Sequence, residues 1–285
     1  MGKINLEIQE DQLLKKSTNT YDLSILIGMD RFSYLVNDAL QNVLALKVYE
    51  LEEVGDPAVG YKTALQKIYI SDSMLKMPFQ KVRLSISAQG HSYIPDRFYH
   101  PERRRSYLSQ MVALPQEAAI EVDELPALAI KNVYWPDEQL LRLLKGYFSN
   151  ARCFHHCTPA LQGFKRIAAH HSEHNIFLSI SGRKVHIALF EGSQFLFSNV
   201  FTFQSSRDFI YYVMLIYDQF KLKPESVPVH IAGEIMKDSE IYQLLYRYIR
   251  HLKIVKAPDY LHFGEAFGDL SHHFYFDLYS LKLCE

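Results

Sequence analysis

The order of apolar segments between Asn175 and Gly233 most constrains the fold of this chain. Three short strands, one helix and one further strand are predicted there from apolar runs bounded by turn residues. The predicted elements are Ile176–Ser181, Val185–Phe190, Phe195–Phe201, the helix Ser205–Phe220 and Val227–Gly233. An order of this kind predicts a mixed sheet with a helix packed on one face.

A fainter copy of the same order occupies residues 21–87. It comprises the predicted strands Leu23–Gly28, Phe32–Asn37 and Val43–Tyr49, a helix over Ala58–Ile70, and the alternating strand Lys81–Ser87. The duplication predicts an α/β fold with mixed sheets, built from two ribonuclease-H-like lobes. We expect residues 1–172 to form the N-terminal lobe and residues 173–285 the C-terminal lobe.

Several connecting elements are also predicted. Pro101 opens a charged helix that extends to about Val112, because a missing N–H costs least in the first turn. Residues 151–157 form a short strand, and Thr158 caps a helix that has Pro159 in its first position and ends near residue 171. The segment Phe274–Tyr279 fits a strand or a helix equally well.

Composition excludes several classes of protein. Hydrophobic residues make up 48% of the 285 residues and charged residues 22%, which is typical of a globular chain. The formal net charge of −1 provides no global field to attract nucleic acid or an anionic membrane. No segment reaches the roughly 18 apolar residues of a membrane span, and the first residues contain no apolar core of a signal peptide. The three cysteines lack the spacing of a disulfide framework, so we expect a cytoplasmic protein.

The chain resembles a known family over nearly its full length. That family is the uncharacterised bacterial domain of unknown function 3822. The residues that carry the resemblance are Leu23–Gly28, Ile94–Tyr99, His156–Leu161, the strand block from Ile176, and Leu281–Glu285. The order of elements also resembles the actin-like ATPase fold, in particular its degenerate members that act as scaffolds in pilus assembly and type II secretion. The resemblance implies a two-lobed, actin-like arrangement.

Actin-like ATPases hold nucleotide with three loops, and the first follows a strand with an acid, any residue, glycine and then Ser or Thr. Glycine in that loop lets the backbone approach phosphate. In this chain residues 28–33 supply Asp30 and Ser33, but Phe32 stands where the glycine is expected. The first loop is therefore incomplete.

The second and third loops are eroded as well. Residues 179–184 retain Gly182 in a turn but have lost the acid that orients the attacking water. The third loop normally has a pair of glycines after an apolar strand, and residues 231–234 retain only Gly233. Without the two carboxylates, magnesium lacks support and water lacks an orienting group. We therefore assign no catalytic residue and expect no ATP hydrolysis.

Nucleotide binding without turnover remains open. The resemblance implies that Asp30, Ser33, Gly182, Arg183 and Gly233 would contact ATP and magnesium if these are bound. Arg183 and the turn amides are able to hold an anion. The favoured alternative is a hairpin turn at Gly182 that carries solvated basic residues.

A cluster of cysteine and histidine residues suggests a metal site. On a strand, Cys153, His155 and Cys157 share one face, and zinc accepts these ligand types. Three such positions span about 13 Å at about 3.3 Å per residue, which is too wide for one tetrahedral ion unless the strand breaks. We therefore predict no metal site and expect buried cysteines and capping histidines.

Two surface features bear on partners. The basic run of Arg97 and Arg103–Arg105 has interleaved aromatic residues, as nucleic-acid surfaces do, although a solvated helix face is the favoured explanation. Six tyrosines lie on two predicted helices of the C-terminal lobe: Tyr211, Tyr212, Tyr217, Tyr242, Tyr246 and Tyr248. Some of them must be partly exposed, which predicts a protein partner or a homodimer interface, although core packing explains most of these tyrosines equally well.

Three functional hypotheses follow. The first is a cytoplasmic, actin-like protein that has lost catalysis and acts as a binding or scaffold module. The second is an ATP-binding phosphotransferase or ATPase that uses Asp30, Ser33 and Gly233. The third is a nucleic-acid-binding protein that uses Arg97 and Arg103–Arg105. We favour the first, and hence a protein that is not an enzyme.

Overall fold

The computed structural model describes residues 3–28, 30–51 and 57–285. The chain forms two compact units. The first consists of Met1–Pro159, Asp259–Leu270 and Leu281–Glu285, and the second of Ala160–Pro258 and Ser271–Ser280. The division into ribonuclease-H-like lobes at residue 172 stays a prediction. None of the helices in the described ranges combines the length and the apolar character needed to cross a membrane.

The first unit contains two sheets. Its strands are β1 (Lys3–Gln9), β2 (Asp22–Ile27), β3 (Arg31–Asn37), β4 (Asn42–Glu50), β5 (Lys81–Ile86), β6 (Ala88–Pro95), β7 (Glu121–Leu125), β8 (Ile130–Pro136), β9 (Ala151–His155) and β15 (His262–Phe263). Its α-helices are α1 (Pro57–Ser71), α2 (Arg104–Ser109) and α3 (Glu138–Tyr147). The larger sheet has the order β1-β4-β3-β2-β5-β9, with β15 also paired to β4, and the smaller has the order β6-β8-β7.

The second unit repeats the central strand order of the first. Its strands are β10 (His174–Ser181), β11 (Lys184–Glu191), β12 (Gln194–Thr202), β13 (Val229–Gly233) and β14 (Leu252–Ile254). Its helices are α4 (Cys157–Ala168), which belongs to this unit from Ala160 onward, α5 (Ser206–Gln219), α6 (Glu240–Tyr248) and α7 (Phe276–Ser280).

The two sheets share one topology. The order β12-β11-β10-β13-β14 matches β4-β3-β2-β5-β9 of the first unit. In each set the first three strands in this order pair antiparallel with their neighbours. The third strand then pairs in parallel with the fourth, and the fourth pairs in parallel with the fifth. The mixed α/β class and the duplicated strand order predicted from the sequence are therefore confirmed.

Short 3-10 helices connect these elements. They span Lys15–Thr20, Met74–Lys76, Asp96–Phe98, Pro101–Arg103, Pro126–Leu128, Glu265–Phe267, His272–Tyr275 and Leu281–Leu283. The segment Phe274–Tyr279, which the sequence left undecided, is helical and spans the end of one 3-10 helix and most of α7.

Alternate side chains of the central strands point to the same face of each sheet, and this face forms the hydrophobic core of each unit. In the first unit the apolar side chains of β2, β3 and β5 on one face pack against α1 and α3. In the second unit the corresponding face of β10, β11 and β13 packs against α5 and α6. The opposite face of the second sheet is also covered, because Phe164 of α4 stacks between Phe177 and Phe276 with ring centroids 5.0 and 5.1 Å apart.

Two predicted elements begin or end elsewhere. The helix expected from Pro101 to about Val112 consists of a 3-10 turn at residues 101–103 and α2, which ends at Ser109. The strand expected to end at Cys157 ends at His155, and α4 begins at Cys157 rather than after a cap at Thr158. The Thr158 hydroxyl instead donates to the Asp123 carboxylate at 2.5 Å, so a long-range side-chain contact replaces the local cap.

A buried carboxylate joins α1 to the first sheet. Asp72 accepts hydrogen bonds from the phenols of Tyr34 (2.9 Å) and Tyr49 (2.6 Å), and from the backbone N–H of Met74 (2.9 Å). The Lys47 ammonium lies 3.4 Å from the same carboxylate. Burial raises the pKa of Asp72, but these hydrogen bonds and the lysine charge outweigh burial, so the pKa lies below its usual value.

We expect Asp72→Asn to destabilise the protein by about 2 kcal/mol near pH 7, because either orientation of the amide turns its NH2 towards hydrogen-bond donors. The stability from the lowered pKa is present above the unfolded pKa of about 3.9 and is lost as pH falls through the lower folded pKa. The difference between wild type and variant should therefore shrink below about pH 4. Urea unfolding from pH 3 to pH 7 measures it.

Glu7→Gln is the matched control. Glu7 lies 2.9 Å from the Lys47 ammonium, but its side chain is 51% exposed. An exposed ion pair contributes less than about 1 kcal/mol, so this variant should unfold close to the wild type. An Asp72→Asn variant as stable as Glu7→Gln would show that the buried network contributes no stability.

Candidate functional site

The first predicted nucleotide loop is a tight hairpin between β2 and β3. The Gly28 N–H donates to the Arg31 carbonyl at 2.8 Å, and the Leu51 N–H donates to the Asp30 carbonyl at 2.7 Å. Met29 lies outside the described residues. The Asp30 side chain is exposed at the tip of the hairpin.

Phe32 belongs to the core of the first unit. It is 3% exposed and packs edge-on against Tyr34 and Tyr49, with ring centroids 6.5 and 6.1 Å apart. Ser33 faces the other side of β3 and is also 3% exposed. The position expected for glycine therefore holds a core aromatic ring, and the structure does not present Asp30 and Ser33 together to solvent.

The second predicted loop is the hairpin turn between β10 and β11. Gly182 has a φ of 54°, and the space around the position of an added Cβ is open. Its backbone N–H donates to the Glu234 carboxylate at 3.1 Å, and Arg183 next to it is exposed. The amide that would face a phosphate is thus held by a carboxylate of the chain itself.

The third predicted loop follows β13 at the same end of the sheet. Gly233 has a φ of 88°, and a Cβ there would lie 2.1 Å from the Ile180 carbonyl oxygen. The next residue, Glu234, donates its N–H to that oxygen at 2.7 Å. Glycine is therefore required here by the close approach of β13 to β10. The structure brings Gly182 and Gly233 together, whereas Asp30 and Ser33 lie in the other unit.

Asp277 of α7 is a further member of this group that sequence reasoning missed. It accepts a hydrogen bond from the Ser179 hydroxyl of β10 at 2.7 Å, and its Oδ1 is buried with no hydrogen-bond partner among the described residues. Burial raises the pKa of Asp277 to about 6; the Ser179 hydrogen bond opposes the rise and the Glu234 charge adds to it. The only signal in the sequence for this residue was an acidic side chain within the aromatic segment Phe274–Tyr279.

A polar cavity of about 300 Å³ lies at the opposite end of the second sheet. Its lining includes His171 and His174, and also His251 and Lys253 beside the start of β14. Ligands of open α/β sheets bind outside the carboxyl ends of the strands. The cavity lies at the amino ends, so it is not the equivalent of the nucleotide loops.

The basic run largely supports local structure. Arg105 donates to the carbonyls of Leu114 and Pro115, and the Arg104 Nε donates to the Pro101 carbonyl at 3.1 Å. Arg97 lies over the ring of Phe98, with 4.6 Å between the guanidinium carbon and the ring centroid. A nucleic-acid role for this run stays a prediction.

The six tyrosines of α5 and α6 differ in exposure, and Tyr242 is partly buried against the core of the second unit. Tyr217 is buried and donates to the Val227 carbonyl at 2.8 Å, and Tyr212 stacks on Phe201. Three others are largely exposed, namely Tyr211 (60%), Tyr246 (68%) and Tyr248 (52%). The expectation that some of these rings are exposed is confirmed.

Cys153 does not take part in a metal-ligating group within the described residues. It lies in β9 and packs against the core of the first unit. Burial raises the pKa of its thiol to about 11, so the thiol is protonated at neutral pH. Cys153 is thus a partly buried neighbour of this core, and the absence of a metal at this residue stays a prediction.

Comparison with known proteins identifies a family and a fold. A family model described as a protein of unknown function (DUF3822) matches residues 10–252. A crystal structure from Bacteroides thetaiotaomicron VPI-5482, of a protein with an actin-like ATPase fold and unknown function, is 18% identical. It matches over 96% of this chain and 100% of its own, with a TM-score of 0.81.

Two further structures share the fold. A chain of the PilM–PilN type IV pilus biogenesis complex is 12% identical and matches over 93% of this chain and 98% of its own, with a TM-score of 0.64. The ethanolamine utilization protein EutJ from Carboxydothermus hydrogenoformans is 10% identical, with coverages of 96% and 95% and a TM-score of 0.52. No curated protein sequence matches. The predicted actin-like ATPase fold is confirmed.

We expect Gly233→Ala to destabilise the protein by about 3 kcal/mol or more. A non-glycine residue at positive φ costs about 1–2 kcal/mol, and the added Cβ also pushes against the Ile180 backbone. Gly182→Ala is the matched control, because it has a positive φ but open space, and should cost about 1 kcal/mol. Equal urea midpoints for the two variants would refute the close approach as the reason for Gly233.

We also expect Asp277→Asn to become more stable than wild type as pH rises. The folded pKa of about 6 exceeds the unfolded value of about 3.9, so the folded carboxyl retains its proton more tightly. That stabilisation is complete below about pH 4 and lost as pH rises through about 6. The neutral amide avoids the loss, with a gain on the order of 1 kcal/mol at pH 8 by urea unfolding. Asp218→Asn, an exposed carboxylate on α5, should show no such trend.

Proposed function

The chain belongs to the DUF3822 family of proteins of unknown function and has an actin-like ATPase fold, and we propose that it is a binding or scaffold protein that has lost ATP hydrolysis. The proposal rests chiefly on the hydrogen bond from the Gly182 N–H to the Glu234 carboxylate. A turn amide held by an internal carboxylate is not available to a phosphate. The same carboxylate would repel a phosphate placed beside it.

The first loop supports the same conclusion. A glycine there would let the backbone approach phosphate, but Phe32 is a core residue whose loss would leave a cavity. Asp30 remains an exposed carboxylate on the hairpin, with Ser33 buried on the sheet. Magnesium bound to a nucleotide needs oxygen ligands that converge, and these two side chains do not converge.

We propose that the protein acts through a protein partner. The PilM–PilN complex shows that a chain of this fold can assemble with another protein. Exposed tyrosines, which are enriched at interfaces, supply the chemistry on this chain, namely Tyr211, Tyr246 and Tyr248. The three cysteines form no disulfide, which is compatible with the proposed cytoplasmic location.

The enzyme alternative retains one supporting observation. Glu234 and Asp277 place two carboxyl groups near the second and third loops, where an ATPase would need acids. However, Asp277 Oδ2 accepts a hydrogen bond from Ser179, and Asp277 Oδ1 is buried and has no hydrogen-bond partner among the described residues. The carboxyl pair therefore does not replace the lost water-orienting acid without rearrangement.

We expect millimolar ATP with magnesium to leave thermal unfolding of the full chain unchanged. A ligand present at 100 times its dissociation constant would stabilise the folded state by about 2.7 kcal/mol, which is readily measured as a shift in Tm. Isothermal titration on the same sample checks for weaker binding. Phosphate release over hours tests hydrolysis.

A magnesium-dependent shift in Tm together with an ATPase rate abolished by Asp30→Ala would overturn the proposal. Asp218→Ala serves as the control for that variant, because it removes an exposed carboxylate from α5 in the other unit. An ATPase rate unaffected by Asp30→Ala but abolished by Glu234→Gln would also overturn the proposal, whereas a rate unaffected by either variant would indicate a contaminating enzyme. ATP binding without measurable ATPase activity would agree with the loss of hydrolysis and would add a nucleotide ligand to the proposed scaffold protein.

A further inference from the structure

Two histidines and one cysteine converge in the first unit. His91 lies in β6, His155 is the last residue of β9 and Cys157 is the first residue of α4. Each offers one possible ligand atom, and these three atoms lie within 4.8 Å of one another. His155 and Cys157 are fully buried and His91 is half-buried.

We propose that His91, His155 and Cys157 bind a transition-metal ion of the zinc class. Two imidazoles and a thiolate are ligands that zinc prefers, with metal–nitrogen distances of about 2.0 Å and a metal–sulfur distance of about 2.3 Å. Such bonds place tetrahedral ligand atoms roughly 3.3–3.8 Å apart. Rotation of the side chains can move these atoms by about 1 Å, which is enough to bring them from the observed separation to the separation that a metal ion requires.

The backbone break at the end of β9 makes this convergence possible. On a continuous strand the positions of Cys153, His155 and Cys157 would extend over about 13 Å, but the strand ends at His155 and the chain turns into α4. The Cys157 N–H donates to His155 Nδ1 at 3.3 Å, so a lone pair of that imidazole faces the residue that carries the thiol. Ligation through Nδ1 would replace this long hydrogen bond with a metal bond.

Neighbouring groups hold the turn in place. The Asp123 carboxylate of β7 accepts from the His155 N–H at 2.8 Å and from the Thr158 hydroxyl at 2.5 Å, on either side of Cys157. The His156 N–H donates to the Ile86 carbonyl at 2.8 Å. Because outer contacts of this kind fix ligand positions, the metal would meet a largely formed site.

His91 supplies a second, independent observation. Its imidazole contacts the rings of His155 and Tyr93, with centroids 4.3 and 5.2 Å apart. It forms no hydrogen bond or ion pair with the rest of the described chain. This half-buried imidazole therefore has a ring nitrogen that is available to a metal ion. Three protein ligands leave a fourth position for water, as in open zinc sites.

Cobalt is the probe that tests the site. The full chain, prepared without a polyhistidine tag and stripped with a chelator, is titrated with Co²⁺ under reducing conditions. We expect one equivalent to give a tetrahedral visible spectrum with a thiolate charge-transfer band, and zinc to displace it. A wild-type spectrum without that band would overturn the proposal whatever the variants do.

Substitutions then identify the ligands. His91→Gln and Cys157→Ser should each weaken Co²⁺ binding by at least about 100-fold, since even contacts beyond the ligands are worth about 10–100-fold. Cys153→Ser is the matched control, because it removes a nearby thiol of β9 that is not part of the cluster, and it should bind like wild type. Circular dichroism of each metal-free variant checks that it folds.

Two outcomes of the substitutions would refute the assignment. One is undiminished binding in folded Cys157→Ser, and the other is loss of the charge-transfer band in Cys153→Ser. Sulfur and imidazole scattering in zinc X-ray absorption of the wild type provides a check that needs no variant. The result is independent of ATP binding, so the metal site and the loss of hydrolysis succeed or fail separately.

Discussion

The close approach of β13 to β10 is the constraint on which the second unit depends. At Gly233 the two backbones leave no room for a Cβ, because the Ile180 carbonyl oxygen occupies its place. This approach lets the two strands pair in parallel along Ile176–Ile180 and directs the chain that follows β13 towards the turn at Gly182. Glu234 therefore reaches the Gly182 amide as a consequence of strand pairing. The glycine at position 233 is therefore explained by backbone packing and is not in itself evidence for a bound ligand.

Much of the fold was predictable because period-two alternation survives in the strands of both units. The predicted strands from Ile176 to Phe201 differ from β10, β11 and β12 by only one or two residues at most ends. Local rules failed where a distant side chain decided the conformation. Thr158 has the chemistry of a cap, but its hydroxyl donates to the buried Asp123 carboxylate, 35 residues earlier, and α4 begins two residues sooner than predicted.

The candidate sites were less predictable for the same physical reason. The buried position of Phe32 follows from the sequence, since an aromatic residue within an apolar strand belongs in a core. It gave no sign that Glu234 would bind the Gly182 amide or that Asp277 would reach Ser179, because those contacts join residues 52 and 98 positions apart. The rejection of Cys153, His155 and Cys157 as one metal group was sound for a continuous strand. The strand is not continuous, however, because β9 ends at His155. The third residue of the proposed group, His91, lies on another sheet.

Buried carboxyl groups support this fold at positions outside the three predicted nucleotide loops. Asp72 joins two tyrosines, a lysine and a backbone amide, and Asp123 holds both sides of the turn before α4. Neither group lies in the predicted nucleotide loops, and removing a partner of the buried Asp72 charge is more costly than changing an exposed loop. These networks therefore stabilise the fold whatever residues the loops carry. A turn held rigid by Asp123 is also a position where two ligands, His155 and Cys157, can be placed without new backbone structure.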